Sequence, residues 1–216
     1  MKKQWMLFPL IALLCVYMIG CGKDFDAAGY VQGYMDTCLK GSGKQFAKLC
    51  AVDTSQTEAL YRSGIEDVMH SWLSGVTLNA EAEDMVTDAL QDLFMATRYN
   101  VTNTKKEKDG SFTVTVTIEP LIFPIDKGIM KEIETSATTQ YTDDNPEDEE
   151  IDQEKYGLIV AKKFSSYVQK QLEKKAYGDT ITLTTTLSIE NKQYKLSDEE
   201  QGNLISSTLI TSQKQK

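Results

Sequence analysis

Histidine is all but missing from this sequence: His70 is the single one among 216 residues. Catalytic and metal-binding schemes built on paired imidazoles are therefore closed to it. Cationic charge is also scarce, with 23 Lys and Arg against 32 Asp and Glu, a net of −9. Phosphate backbones are held by clustered cations, so no nucleic-acid partner is expected. No apolar run reaches the ~20 residues that a membrane-spanning helix needs. There is no Cys-x-x-Cys pair, no zinc signature, no nucleophile elbow and no Gly-rich phosphate loop. Gly41-Ser42-Gly43-Lys44 looks superficially like the end of such a loop, but it follows a helical pattern rather than a strand. These gaps lead to the expectation of a protein that is not an enzyme and holds no metal and no cofactor. With 41% hydrophobic and 25% charged residues, the composition is that of a globular protein, neither disordered nor polytopic.

What is present begins at the N-terminus. Met1-Lys2-Lys3 is cationic, and residues 5–19 are almost wholly apolar with Pro9 among them. Such a stretch has the length of a signal-peptide core. It closes on Met18-Ile19-Gly20-Cys21. A small residue followed directly by Cys at this place resembles the lipobox of bacterial lipoproteins, with Met18 where Leu is usual. The resemblance implies cleavage before Cys21 and acylation of its thiol by chains of the palmitate type. Two such chains, at ~0.8 kcal/mol per buried CH₂, give stable anchoring. The expected partner is thus the membrane, through a lipid on the outer face of the cell membrane. The expected organisation is a signal peptide over 1–20, a lipid-anchored N-terminus over 21–25, a single α+β domain over 26–211 and a frayed tail over 212–216. Loss of Lys2 and Lys3 leaves 21 basic against 32 acidic residues, a net of −11. An anionic membrane would mildly repel that body, so the lipid does the attaching.

Cys15 would leave with the signal. Cys38 and Cys50 remain, twelve apart and both on apolar helical faces. Export favours oxidation, and a helical hairpin around Gly41 could bring them into a disulfide; two buried reduced thiols are the other reading.

Along the body, apolar residues recur at helical spacing over 26–40, up to Gly41. A short helix follows over 45–50. Ser55-x-x-Glu58 reads as a capping box for a third helix ending at Gly75, and Asn79 as the cap of a fourth. The period then falls to two. Phe112, Val114, Val116 and Ile118 alternate with threonines after Asp109-Gly110, a hairpin signal, and the pairing expected sets Val101 opposite Ile118. A helix over 126–140 precedes residues 143–154, eight of which are acidic. Asn145-Pro146 reads there as the start of a long helix that Gly178 stops. A second hairpin turning at Asn191-Lys192 should pair Ile189 with Tyr194 and Leu187 with Leu196. Ser197-x-x-Glu200 caps a last helix. The fold class expected is α+β, with helices packed on an antiparallel sheet of about four strands from two hairpins. A cystatin-like or nuclear-transport-factor-like cone is the fold-level analogy.

Phe25-Asp26-Ala27-Ala28-Gly29-Tyr30-Val31, then Met35-Asp36 and Lys40-Gly41, with Glu58-x-Leu60-Tyr61-x-x-Gly64-Ile65 beyond, resemble a family of Gram-positive exported lipoproteins built around an uncharacterised domain. Met35 stands where that family has Leu. The resemblance implies an extracytoplasmic location and supplies no activity.

Three functional readings follow. The first is a non-enzymatic binding or interaction module whose partner is an unknown protein. The second is a pocket for a small apolar or amphipathic ligand, lined by Tyr30, Tyr34, Tyr61, Tyr167 and Tyr194, which all fall on apolar faces. The third is a cell-envelope hydrolase, which needs convergent carboxylates. Asp143, Asn145, Glu147 and Glu154 match positions 1, 3, 5 and 12 of a calcium loop, but Asp148 occupies the position that demands Gly, so a solvated loop is expected instead.

Overall fold

The computed structural model describes residues 25–190 and 193–211. The expected signal peptide, Cys21, the expected turn at Asn191-Lys192 and residues 212–216 lie outside them. Helix α1 (Ala27–Lys40) opens where Asp26 accepts a hydrogen bond from Gly29 N and ends at Gly41 in the left-handed region. It is followed by α2 (Lys44–Cys50), α3 (Thr54–Trp72) and α4 (Ala80–Met95). Strands β1 (Arg98–Lys106), β2 (Phe112–Glu119) and β3 (Leu121–Ile122) come next, then helices α5 (Lys127–Asp144) and α6 (Gln153–Lys174). The chain closes with β4 (Ile181–Glu190), β5 (Gln193–Leu196), α7 (Asp198–Ser206) and β6 (Leu209–Ile210).

These elements fall into two compact units. The first comprises residues up to 64, 97–121 and 177–209; the second comprises 65–96, 122–176 and the chain from 210. The first unit holds an open antiparallel sheet in the order β1-β2-β4-β5. The α+β class is therefore as expected, and the central β2–β4 pairing joins the two hairpins. On its inner face Phe112, Val114, Val116 and Ile118 are buried, while Thr113, Thr115 and Thr117 face outward opposite Thr186, Thr184 and Thr182. Helix α1 packs on β1 and β2, with α2 and α7 beside it. Its burial runs almost all round, through Tyr30, Val31, Met35 and Leu39. The second unit is helical: α6 packs on α4 and α5 around Val160, Ala161, Phe164 and Val168. Trp72 stacks there on Phe123 with ring centroids 5.6 Å apart.

The second hairpin has the expected register, Ile189 with Tyr194 and Leu187 with Leu196. The first does not. Val101 pairs with Val116 and Tyr99 with Ile118, and a bulge lies between Val101 and Asn103. The turn is also longer than two residues: Glu107 N donates to Ser111 O, and Gly110 N donates to Glu107 O. A two-residue type I′ turn needs positive φ at both positions. Gly110 has φ +88, and Asp109 is not among the positive-φ residues.

Two helix starts are also corrected. α3 begins at Thr54, where the Asp53 carboxylate accepts from Ser55 N and Gln56 Oε1 accepts from Asp53 N. The reciprocal cap is present, but two residues earlier than Ser55. Asn145 does not open α6; its amide closes α5 by donating to Tyr141 O. α6 starts at Gln153 with Asp152 accepting from Glu154 N and Lys155 N. The four carboxylates at 147–150 stay in the loop, where like charges are solvated rather than stacked on one helical turn. The Tyr141 hydroxyl fastens that loop, donating to Asp148 and accepting from Asp152 N.

Candidate functional site

The sheet unit carries the densest chemistry. Tyr30 and Tyr34 lie one helical turn apart on α1, so both project toward α2, where Phe46 meets their rings edge-on at 5.1 and 5.9 Å. With Leu60, Lys195, Leu196 and Gln201 they line a cavity of about 20 Å³. That is room for a single water, far below the ~300 Å³ at which small-molecule pockets begin. Burial, with the Cys38 thiol alongside, raises the Tyr34 hydroxyl well above the ordinary tyrosine range.

The other three tyrosines are placed differently. Tyr61 packs beside Gly41, its ring 3.0 Å from where a Cβ would stand. Tyr194 belongs to an aromatic cluster at the end of the sheet, stacked on Phe25 at 4.2 Å and edge-on to Phe112 at 5.1 Å. Tyr167 belongs to the helical unit, where its hydroxyl donates to Pro124 O and its ring meets Phe123. The five tyrosines thus do not line one cavity.

Cys38 and Cys50 are thiols. Cys38 is hydrogen-bonded to Tyr34, and burial pushes its thiol up to about 12. A thiol so protonated is a poor nucleophile. Cys50 is buried at the end of α2.

A polar network along α1 and β1 could not be read from the sequence. Tyr99 donates to Asp36 Oδ1 at 2.6 Å, and Gln32 donates to the same oxygen at 2.9 Å. One turn on, Lys40 Nζ reaches Thr97 O at 2.7 Å. Burial and the Asp36 contact hold the Tyr99 hydroxyl far above its usual range, and burial lowers Lys40. The available signal was Asp36 and Lys40 at i and i+4 on an otherwise buried helix. Their partners lie about sixty residues away, which periodicity does not reveal.

His70 is exposed on α3. Of the candidate calcium loop, Asp143 lies in α5, Asn145 caps it and Glu154 lies in α6. Among the described residues no three His, Cys, Asp or Glu side chains converge as a metal site would require.

No protein-family model matches the chain, and none of the curated proteins does. Among solved structures the fold is similar to that of ycdA of Bacillus subtilis, assigned as a lipoprotein, with a TM-score of 0.57 at 17% identity. The match takes in 86% of this chain and 56% of that one, so this chain spans little more than half its neighbour's length. Among the described residues no helix is long and apolar enough to cross a membrane.

Proposed function

We propose that this protein is an exported lipoprotein, held at Cys21 on the outer face of the cell membrane, and that its body is a non-enzymatic interaction module for another protein. The carrying observation is the Met18-Ile19-Gly20-Cys21 sequence at the end of an apolar core, its Cys four positions before Phe25, the first described residue. The likeness of fold to a lipoprotein supports it. A cavity of about 20 Å³ favours recognition at the surface over capture of a ligand inside the sheet unit. The test is Cys21→Ser in the full chain. Acyl labelling and membrane retention should both be lost; a variant still acylated places the lipid elsewhere and overturns the reading.

A further inference from the structure

The place where the chain leaves its anchor constrains which part of the sheet unit can touch the membrane. Phe25 is pinned: it stacks on Tyr194 at 4.2 Å and meets Phe112 and Tyr30 at 5.8 Å each. Cys21 lies four positions before it, and a fully extended chain spans at most ~14 Å over that distance. If Cys21 carries the lipid, this end of the sheet stands within that distance of the headgroups.

The surface around Phe25 suits such a neighbour. Ile189, opposite Tyr194 in the second hairpin, is 49% exposed and one of three exposed large apolar side chains among the described residues. It lies against the β1–β2 turn, 3.2 Å from where a Gly110 Cβ would stand. Tyr194 ties the same turn down by donating to Gly110 O at 3.2 Å. The turn carries exposed Lys105, Lys106 and Lys108. Lys106 Nζ lies over the Phe112 ring at 5.6 Å. The acids there are turned onto local partners: Glu107 accepts from Lys105 and Thr113, Asp109 from Ser111, and Glu190 meets Lys195. Residues 105–110 are thus net cationic in a chain that is net −9.

We propose that this end of the sheet is a membrane-docking surface for the anionic bilayer that bears the anchor. Ile189 enters the interface, Tyr194 stands at headgroup level, and Lys105, Lys106 and Lys108 face lipid phosphates. Lipid and patch together make the two signals that stable, oriented attachment takes. The inference rests on the lipoprotein reading above.

The test uses the full-length acylated protein carrying Ile189→Trp, reconstituted into vesicles of phosphatidylglycerol and brominated phosphatidylcholine, with the unsubstituted protein as background for Trp72. The expected result is co-flotation with the vesicles and quenching of the new emission by the brominated chains. Adding Lys105→Glu, Lys106→Glu and Lys108→Glu should lose much of that quenching when phosphatidylglycerol is present. Flotation without quenching overturns the docking surface while leaving the anchor intact. Blue-shifted, unquenched emission would mean that another chain covers Ile189, and it overturns the docking surface equally. Quenching unchanged in the triple variant overturns the headgroup contact. Failure to float overturns the anchor, and the docking surface with it.

Discussion

Gly157 and Gly64 are both helical glycines, and their surroundings make opposite demands. A Cβ on Gly157 would overlap the Thr77 carbonyl oxygen, which is backbone and cannot swing aside. A Cβ on Gly64 would meet nothing within 4 Å. Gly157→Ala should therefore cost about 1–3 kcal/mol, the usual range for overpacking. Gly64→Ala should add about 0.5–1 kcal/mol through helix propensity and a less free unfolded chain. Urea titration of each variant decides it, and equal shifts in the two would mean that the Thr77 contact is not there. Thr185 offers a second test. Its hydroxyl is buried on the inner face of the sheet without a protein partner, and so is that of Thr104. Both threonines lie opposite Val114, from its two flanking strands. Removing an unpaired buried hydroxyl at constant shape is neutral or stabilising, so Thr185→Val should gain up to ~1 kcal/mol. A loss on thermal melting would instead show that a water or ligand is bonded to it. The thiols add a dependence on pH. Burial pushes Cys38 up to about 12 and raises Tyr34 and Tyr99 as well. In the unfolded chain these groups ionise near pH ~9–10. Below that range both states are protonated and stability is unaffected. Above it the unfolded state loses protons first, so stability should fall steadily from about pH 9 toward 12. Chemical denaturation at stepped alkaline pH measures the slope, and alkylation of Cys38 should await unfolding.

At the scale of elements, Glu200 joins two of them. Its Oε2 closes the α7 capping box with Ser197, while Oε1 accepts from Thr186 N at 2.5 Å. The pairing of β5 with β4 ends at Leu187, so this carboxylate continues the edge where the strand stops. Glu200→Ala should cost about 1–3 kcal/mol, since it removes a cap and leaves a strand N–H without its acceptor. Glu199→Ala, exposed in the same first turn, should cost little by comparison. The same element shows what the sequence makes legible. Ser197-x-x-Glu200 and Asn79 were readable because a cap is a local exchange between a side chain and a nearby N–H. The β4–β5 register was readable because two alternating faces agree on one pairing. The β1–β2 register was not, because the bulge at Thr102 switches the alternation: Tyr99 and Val101 oppose inner-face residues on one side of it, Thr104 and Lys106 on the other. Asn145-Pro146 imitates a helix start, but the structure of that loop depends on the hydroxyl of Tyr141, a tertiary contact. Of the candidate site, the tyrosines' apolar faces were legible and their destinations were not. Tyr30 and Tyr34 share a cavity because they share a helix turn, whereas Tyr167 sits on a helix of the other unit.

At the scale of the molecule, the proposed recognition at a surface would use the sheet's outer face. On the first unit's inner face, buried side chains leave a cavity of about 20 Å³ beside Tyr30 and Tyr34. Its outer face shows paired threonines in the middle, with the Arg98–Glu119 ion pair at one margin. Neutral hydroxyls are weakly held by water compared with charges, so such a face can be covered by a partner without burying an unpaired ion. The Tyr30–Tyr34 cavity as it stands should hold no organic ligand through purification. Native mass spectrometry of the protein lacking residues 1–23, prepared without reductant, should return the mass of the bare chain with both thiols intact. Added mass that vanishes on denaturation would show a bound ligand, for which the Tyr30–Tyr34 cavity has no room without opening the packing of α1, α2 and β5. A mass short by two hydrogens would show Cys38 and Cys50 joined, where the structure has them unbridged.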